Sequence, residues 1–423
     1  MQNQRHSIRF IEEKCIGCVT CIRACPTKAI RVKNDKARVN SDRCIDCGEC
    51  FRVCPHGAIS SETTSYADLK QFECTIALPS PVLYSQFGHD VMPNQILLAL
   101  KKIGFDYVFD EAWDCELTTE ALQEYLDTTK GPFPKISNTC PVVVRLITML
   151  YPSLVKNLVK LEIPRESAAK KFRQKAAVSR NISPDKIGVL HITPCPAKMI
   201  SINHPVGLKK SNLDGAIPIT DIYSQLLDAL KDLEEDVILQ LSSGIGIAWS
   251  ISGGEIMGIR KENCLAVSGV QDVIRVLNDV EAGRLNDILF LECLICPDGC
   301  IGGSLTVQNR HQARRKVRRL IKMFGEHTRV SQEMVLRLYR EGYFKLQEEI
   351  LPNPLPPLDP DPGKAIQKLK QQEEILKKLP GKNCSACGAP DCRTLAGDVV
   401  LGQASIDDCV FLTLEKYNEK IDT

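Results

Sequence analysis

Aromatic side chains make up only 5% of the 423 residues, and the formal net charge is +2. A chain this poor in stacking surface and this close to neutral is not built to hold a polyanion, so nucleic acid is not an expected partner. Histidine is scarce at seven residues, and no His-Cys set has zinc spacing. No apolar run is long enough to cross a bilayer, and residues 1–10 are polar, without the apolar segment of an export signal. These absences predict a cytoplasmic protein with no membrane span. Neither a Gly-x-Gly-x-x-Gly nor a Gly-x-x-x-x-Gly-Lys loop follows an apolar run, so no nicotinamide or nucleotide site is expected.

Cysteine is what the chain has in excess, at twenty residues. Clustered thiols in a chain without an export signal point to metal sites in a reducing compartment rather than to a disulfide framework. Near the start, Cys15-x-x-Cys18-x-x-Cys21-x-x-x-Cys25-Pro26 is followed by Cys44-x-x-Cys47-x-x-Cys50-x-x-x-Cys54-Pro55. This is the two-cluster bacterial ferredoxin spacing, in which the fourth cysteine of each run ligates the other cluster. Cys15, Cys18, Cys21 and Cys54 are therefore expected to hold one 4Fe-4S cube, and Cys44, Cys47, Cys50 and Cys25 another. Near the end, Cys384-x-x-Cys387-Gly388-x-x-x-Cys392 with Cys409 reads as a third set. Cys140, Cys195, Cys296 and Cys300 are spread over the long middle. Cys74, Cys115, Cys264 and Cys293 lack partners at ligand spacing and read as small core side chains.

The fold class predicted is α/β multidomain. Residues 1–62 form an α+β ferredoxin-like module with an internal repeat, each half carrying a ligand run, Cys-Pro and an Ala-Ile segment (Ala29-Ile30, Ala58-Ile59). Over residues 63–350, strand-like runs at 187–192 and 288–291 alternate with amphipathic helical segments at 95–103 and 222–233, which predicts parallel sheets in an α/β domain. Residues 351–363 carry six prolines and read as a stiff linker or as a loop packed on the main domain. Residues 364–423 form a small helical module around the last cysteines, its first helix at 364–378. The basic run Arg314, Arg315, Lys316, Arg318, Arg319 and Lys322 reads as a solvated helix face able to steer an acidic partner.

The middle cysteines sit in informative surroundings. His191-Ile192 runs into Thr193-Pro194-Cys195-Pro196-Ala197-Lys198, and Leu291-Glu292 runs into Cys293-Leu294-Ile295-Cys296-Pro297-Asp298-Gly299-Cys300-Ile301-Gly302-Gly303. Both place thiols after a strand, where ligands bind in parallel sheets. Asn138-Thr139-Cys140-Pro141 adds a thiol just before a helical stretch. Together, in this order, these regions resemble the three signatures of the FeFe hydrogenases. Ala77-Leu78-Pro79-Ser80-Pro81, Gly131-Pro132-Phe133-Pro134 and Ser252-Gly253-Gly254 support the likeness, which covers nearly the whole chain. The last module looks like the single-cluster domain of corrinoid iron-sulfur proteins.

The resemblance implies an H-cluster, reversibly interconverting protons, electrons and H2. Its 4Fe-4S cube would be bound by Cys140, Cys195, Cys296 and Cys300, with Cys300 bridging to a diiron unit that carries carbonyl, cyanide and an aza-dithiolate. Lys198 would donate to a cyanide, while Pro194, Ser80, Ser252 and Gly253 would lie around the cofactor. Cys300, Lys198 and Thr139 are the expected catalytic positions. Implied partners are H2 and protons, a ferredoxin or other redox partner, maturation proteins that insert the diiron unit, and a separate signalling protein, since no kinase-like segment follows the last cluster.

Several positions depart from the family pattern. Where active members carry a proton-relay cysteine before the first cube ligand, this chain has Thr139. A thiol with a pKa of about 8.5 exchanges protons near neutrality, whereas an alcohol only relays through hydrogen bonds. A family serine is Val159, a glutamate is Ser201, two methionines are Leu294 and Thr193, and the usual Ser-Pro-Gln-Gln-Met-Phe stretch reads Ser167-Ala168-Ala169-Lys170-Lys171-Phe172. The pattern is similar to the slow, sensory branch of the family. The alternatives are a non-catalytic iron-sulfur assembly protein and an electron-transfer subunit, both without the diiron unit.

Overall fold

The computed structural model describes residues 6–421; residues 1–5 and 422–423, at the outer ends of the first and last expected modules, lie outside it. The chain forms two compact units, Met1–Ser61 together with Pro354–Thr423, and Glu62–Asn353.

In the first unit, strands β1 (Ile8–Phe10), β2 (Ile30–Lys33), β3 (Lys36–Val39) and β4 (Ile59–Ser61) form two antiparallel pairs, β1 with β4 and β2 with β3. Asn34 and Asp35, both at positive φ (50° and 57°), supply the left-handed pair that a tight hairpin between β2 and β3 requires. The short helices Thr20–Ala24 and Glu49–Val53 each begin after a left-handed residue, Val19 and Gly48, so the same curl of chain around the thiols occurs twice. The second segment of this unit packs the helix Pro362–Lys378 against the helix Cys392–Val400. Asp361 caps the first of these through the Lys364 N–H (2.8 Å), and Pro362 sits in its first turn, where a missing N–H costs nothing. The expected linker thus ends earlier than 363: residues 354–361 carry no helix or strand, while the N–H of Asn353 is bonded within the second unit to the Thr148 carbonyl (2.9 Å).

The second unit holds two parallel sheets. Strands β5 (Cys74–Pro79), β6 (Tyr107–Val108), β8 (Ile187–Thr193) and β9 (Gly215–Pro218) form the order β6-β5-β8-β9, and β7 (Lys135–Ile136), β10 (Cys264–Ser268) and β11 (Phe290–Leu294) form β10-β11-β7. All partners run parallel. Every residue of β5 and β8 is buried, as expected for central strands covered on both faces. Ala77, Leu190 and Ile192 pack into one core, while Ile76, Leu78 and Val189 pack into the core on the opposite face. The strand expected at 288–291 is shifted two residues toward the C-terminus, and the helices expected at 95–103 and 222–233 run Pro93–Lys102 and Ile219–Lys231.

The helix Glu111–Thr128 is the element that hydrophobic patterning describes worst. It buries Glu111, Asp114, Glu116 and Glu120. Each of the last three finds a partner: Asp114 pairs with Lys171 at 2.5 Å, Glu120 with Arg260 at 2.8 Å, and Glu116 accepts the Arg329 N–H at 2.7 Å. The basic run lies on the helix Arg310–Phe324, and it is only partly a solvated face. Lys316 is buried, donates to the carbonyls of Phe87 (3.2 Å) and Gly88 (2.8 Å), and is pushed down to about 8 by burial and by Arg319. Arg315, Arg318 and Lys322 are exposed. Among the described residues no helix is long and apolar enough to cross a membrane.

Candidate metal centre

The carboxyl ends of both sheets in the second unit open onto one cavity. Ser80 and Pro81 reach it from the end of β5, Thr139 and Cys140 from beyond β7, Cys195 and Lys198 from beyond β8, and Leu294, Cys296 and Cys300 from β11 and the loop after it. Four thiols from three separate stretches of the chain therefore share one wall with a buried lysine. Glu111, Cys115, Arg165, Trp249 and Glu255 complete it. Cys115, expected as a core residue, is thus on the wall, whereas Cys74 and Cys293 are fully buried in strands away from it.

Burial favours the protonated thiols of Cys195 and Cys300. It pushes Cys300 up to about 12 and raises Cys195, while the ammonium of Lys198 acts in the opposite direction on both. Thiolates are what metals bind, so loading this site would expel protons into a pocket already biased by Lys198 toward anions. Lys198 makes no ion pair among the described residues and is 8% exposed. The Nε of Arg165 and one oxygen each of Glu111 and Glu255 are buried on the same wall without a hydrogen-bond partner. Orphaned polar atoms of this kind call for a group that completes them. Among the described residues no three His, Cys, Asp or Glu side chains converge on a single metal ion; the thiols surround a space instead.

Two loops are locked to keep Cys300 in place. At Gly299, with φ +99°, a Cβ would fall 2.5 Å from the Ser252 nitrogen, and at Gly303 a Cβ would fall 2.3 Å from the Pro194 oxygen. The Ser252 N–H donates to Asp298 (3.0 Å) and the Leu305 N–H to Pro194 (3.0 Å). Of the expected contact residues, Ser80 and Lys198 are therefore on the wall, while Pro194, Ser252 and Gly253 are not among the wall residues; Pro194 and Ser252 brace the Cys300 loop, and the Gly253 N–H donates to Glu292.

Thr139 is not an isolated hydroxyl. It donates to Glu255 Oε1 and lies 2.9 Å from the Ser137 hydroxyl. Burial pushes Glu255 up to about 6. Behind it, Glu292 accepts the N–H groups of Gly253 (2.8 Å), Glu255 (3.0 Å) and Ile256 (3.3 Å), and burial together with the charge of Glu255 pushes it up to about 8. Burial thus raises both carboxyls, and the charge of Glu255 adds to the cost of ionising Glu292. Glu111 Oε2, also on the wall, lies 2.9 Å from His191 Nε2, though not aligned as a hydrogen bond. Burial pushes His191 down to about 4, so its ring is neutral.

In the first unit, Cys15, Cys18, Cys21 and Cys54 line one small cavity, and Cys25, Cys44, Cys47 and Cys50 line another. The fourth thiol of each run crosses over. The Ala29 and Ala58 N–H groups point at the sulfurs of Cys25 (3.2 Å) and Cys54 (3.3 Å), so the contact repeats in the two halves. In the third set, burial raises the Cys387 thiol, and Cys384 and Cys409 are close enough to raise it further. Cys392 packs into the same small core.

Residues 73–261 match the family described as iron only hydrogenase large subunit, C-terminal domain. The central domain belongs to the FeFe hydrogenase family. A 4Fe-4S dicluster family matches residues 7–55 and an Fe-S cluster family residues 379–411, so this is an iron-sulfur protein at both ends. The chain is 24% identical over 363 residues to the periplasmic [Fe] hydrogenase large subunit of Nitratidesulfovibrio vulgaris, covering 70% of this chain and 86% of that one. To iron hydrogenase 1 of Clostridium pasteurianum it is 23% identical over 265 residues, spanning 46% of that protein. The last module is 45% identical over 40 residues to the corrinoid/iron-sulfur protein large subunit of Moorella thermoacetica, 10% of this chain and 9% of that one. An FeFe hydrogenase structure from Chlamydomonas reinhardtii shares the fold at a TM-score of 0.52 and 16% identity, covering 68% of this chain and 96% of the other.

Within this hydrogenase domain the departures from the family pattern have structural uses. The Thr193 hydroxyl donates to the Cys195 carbonyl (3.0 Å) and accepts the Cys195 N–H (3.2 Å), closing the turn that presents that thiol. Ser201 donates to the Lys198 carbonyl (2.8 Å) and accepts from Arg165 (3.1 Å), which also reaches the Thr139 carbonyl (3.4 Å). Val159 is buried among the apolar residues beside Leu161. Arg165, Glu111, Glu255 and Glu292 were not among the residues that spacing selects. The signal that finds Glu292 is a carboxylate in the middle of Phe290-Leu-Glu-Cys-Leu294, a strand with no exposed position.

Proposed function

We propose that the central domain holds an H-cluster and interconverts H2 with protons and electrons slowly, as a sensor or redox reporter rather than as a high-turnover enzyme. The observation that carries this is the shared wall of Cys140, Cys195, Cys296, Cys300 and Lys198, on which Arg165, Glu111 and Glu255 leave polar atoms unpartnered. An assembly protein or a plain electron carrier has use for the four thiols alone. The cube would be held by the four thiolates and the diiron unit by Cys300, and the group when bound supplies the metal centre at which H2 is made and split. Lys198 and Arg165 offer N–H donors and positive charge to anionic ligands, and the apolar wall at Leu294 and Trp249 limits water.

Proton supply sets the rate in this reading. Thr139 hands protons on only as a hydrogen-bonded hydroxyl, and the acids behind it, Glu255 and Glu292, are 3% and 0% exposed. A route of buried groups with an alcohol at its inner end moves protons slowly. The two ferredoxin-like sets and the C-terminal set carry electrons to or from a ferredoxin-type partner, maturation proteins insert the diiron unit, a separate signalling protein takes the output, and the chain works in the cytoplasm.

Replacing Lys198 by Ala tests the cavity. A charge-assisted hydrogen bond to a buried anion is worth roughly 1.5–3 kcal/mol, so the variant should lose part of its diiron unit or shift the cyanide infrared bands after maturation. A spectrum and activity identical to wild type would remove Lys198 from the site.

A further inference from the structure

The geometry points to a direct electron junction between the C-terminal cysteine set and the cavity of Cys15, Cys18, Cys21 and Cys54. The ligand loop of the last module is bound to the wall of that cavity. The N–H of Val32, a residue lining the cavity, donates to the carbonyl of Gly388, next to Cys387, at 2.9 Å. Arg23, on the helix that carries Cys21, donates to the carbonyl of Cys384 at 2.9 Å. The approach is close enough that a Cβ on Gly388, itself at φ +78°, would fall 1.8 Å from the Val32 oxygen. Backbone of the last ligand loop therefore touches backbone that lines the other set's cavity, and only glycine permits it.

The contact is clamped by charge. Arg31 grips Asp398 through two nitrogens (2.5 and 3.1 Å), with side chains 17% and 12% exposed, and Lys28 pairs with Asp391 at 2.5 Å. A fork of this kind fixes orientation as well as position. One-electron transfer through protein falls steeply with distance, and a path from Cys387 through Gly388 crosses one hydrogen bond to Val32, whose residue lines the receiving cavity. In the step, the cube of one set is oxidised by one electron and the cube of the other reduced by one, with no bond broken and no proton required. A low-potential one-electron donor of the ferredoxin or viologen class supplies or removes the electron. The C-terminal set is then a port onto the ferredoxin module rather than a separate structural centre.

This inference rests on reading both cysteine groups as cube ligands, and iron content separates that reading from the junction itself. The test uses the full chain with reconstituted cubes, reduced with dithionite and followed by EPR power saturation. Neighbouring paramagnetic cubes relax each other, so ferredoxin signals in wild type should saturate at higher microwave power than in Cys384→Ala/Cys387→Ala, which lacks the last cube. Gly388→Val and Asp398→Lys should keep full iron yet saturate like that cube-less variant, and adding Arg31→Asp to Asp398→Lys should restore the wild-type behaviour. If Gly388→Val loses iron, the Arg31/Asp398 swap decides. Equal saturation in iron-replete wild type and in the cube-less variant would overturn the junction; wild type lacking the last cube's iron would overturn the ligand reading on which it stands.

Discussion

Thr139→Cys should raise the rate of hydrogen evolution by the matured chain. Positioned acid-base groups contribute typically about 100- to 10,000-fold, and the substitution puts a titratable thiol where an alcohol now relays. The setting favours a gain, because Thr139 already contacts Glu255, a carboxyl that burial pushes up to about 6, with Glu292 behind it at about 8. Both are proton donors only in their acid forms. The residual wild-type rate should therefore fade as pH rises through about 6 to 8, and Glu255→Gln, which keeps the shape but holds no mobile proton, should lower it further. A gain well below the range is expected if the buried outer acids limit the relay. The measurement is hydrogen evolution with a low-potential dye at matched diiron content. A wild type already as fast as ordinary hydrogenases, with Thr139→Cys and Glu255→Gln both without effect, would show that protons arrive by another path and remove the basis of the sensory reading.

Cys300→Ala should abolish the diiron unit altogether. Cys300 is the thiol to which the proposed unit is joined, and its loop is held by close contacts of Gly299 with Ser252 and of Gly303 with Pro194 that no neighbouring cysteine duplicates. The carbonyl and cyanide bands should vanish, while the three accessory sets retain about twelve irons, by four per cube. Persistence of the bands in this variant would place the diiron unit elsewhere on the wall.

How much of this was legible in the sequence depends on how local each feature is. The cysteine runs were readable because ligand spacing is set within a few residues, and the crossing of Cys25 and Cys54 follows from the same spacing. Parallel strands ending in thiols were readable from apolar runs at 187–192 and 288–291, although the second was misplaced by two residues. The acids were not. Patterning equates buried with apolar, and Glu111, Asp114, Glu255 and Glu292 are buried because tertiary neighbours, not sequence neighbours, satisfy or shift them. The burial of Lys316, read from sequence as part of a solvated face, has the same cause: its ammonium donates to two backbone carbonyls from residues more than two hundred positions away. The seating of the last module on the ferredoxin module was equally invisible, since Arg31 and Asp398 are 367 residues apart.

The most direct measurement of the central claim is the infrared spectrum of the wild-type chain after anaerobic reconstitution and maturation. Before maturation the chain should bind about sixteen irons, by four in each of four cubes. After maturation, bands of metal-bound carbonyl and cyanide should appear in proportion to the added diiron unit. A chain with its full cubes and no such bands after exposure to active maturation proteins would contradict the account and leave an iron-sulfur protein without a hydrogen-converting centre.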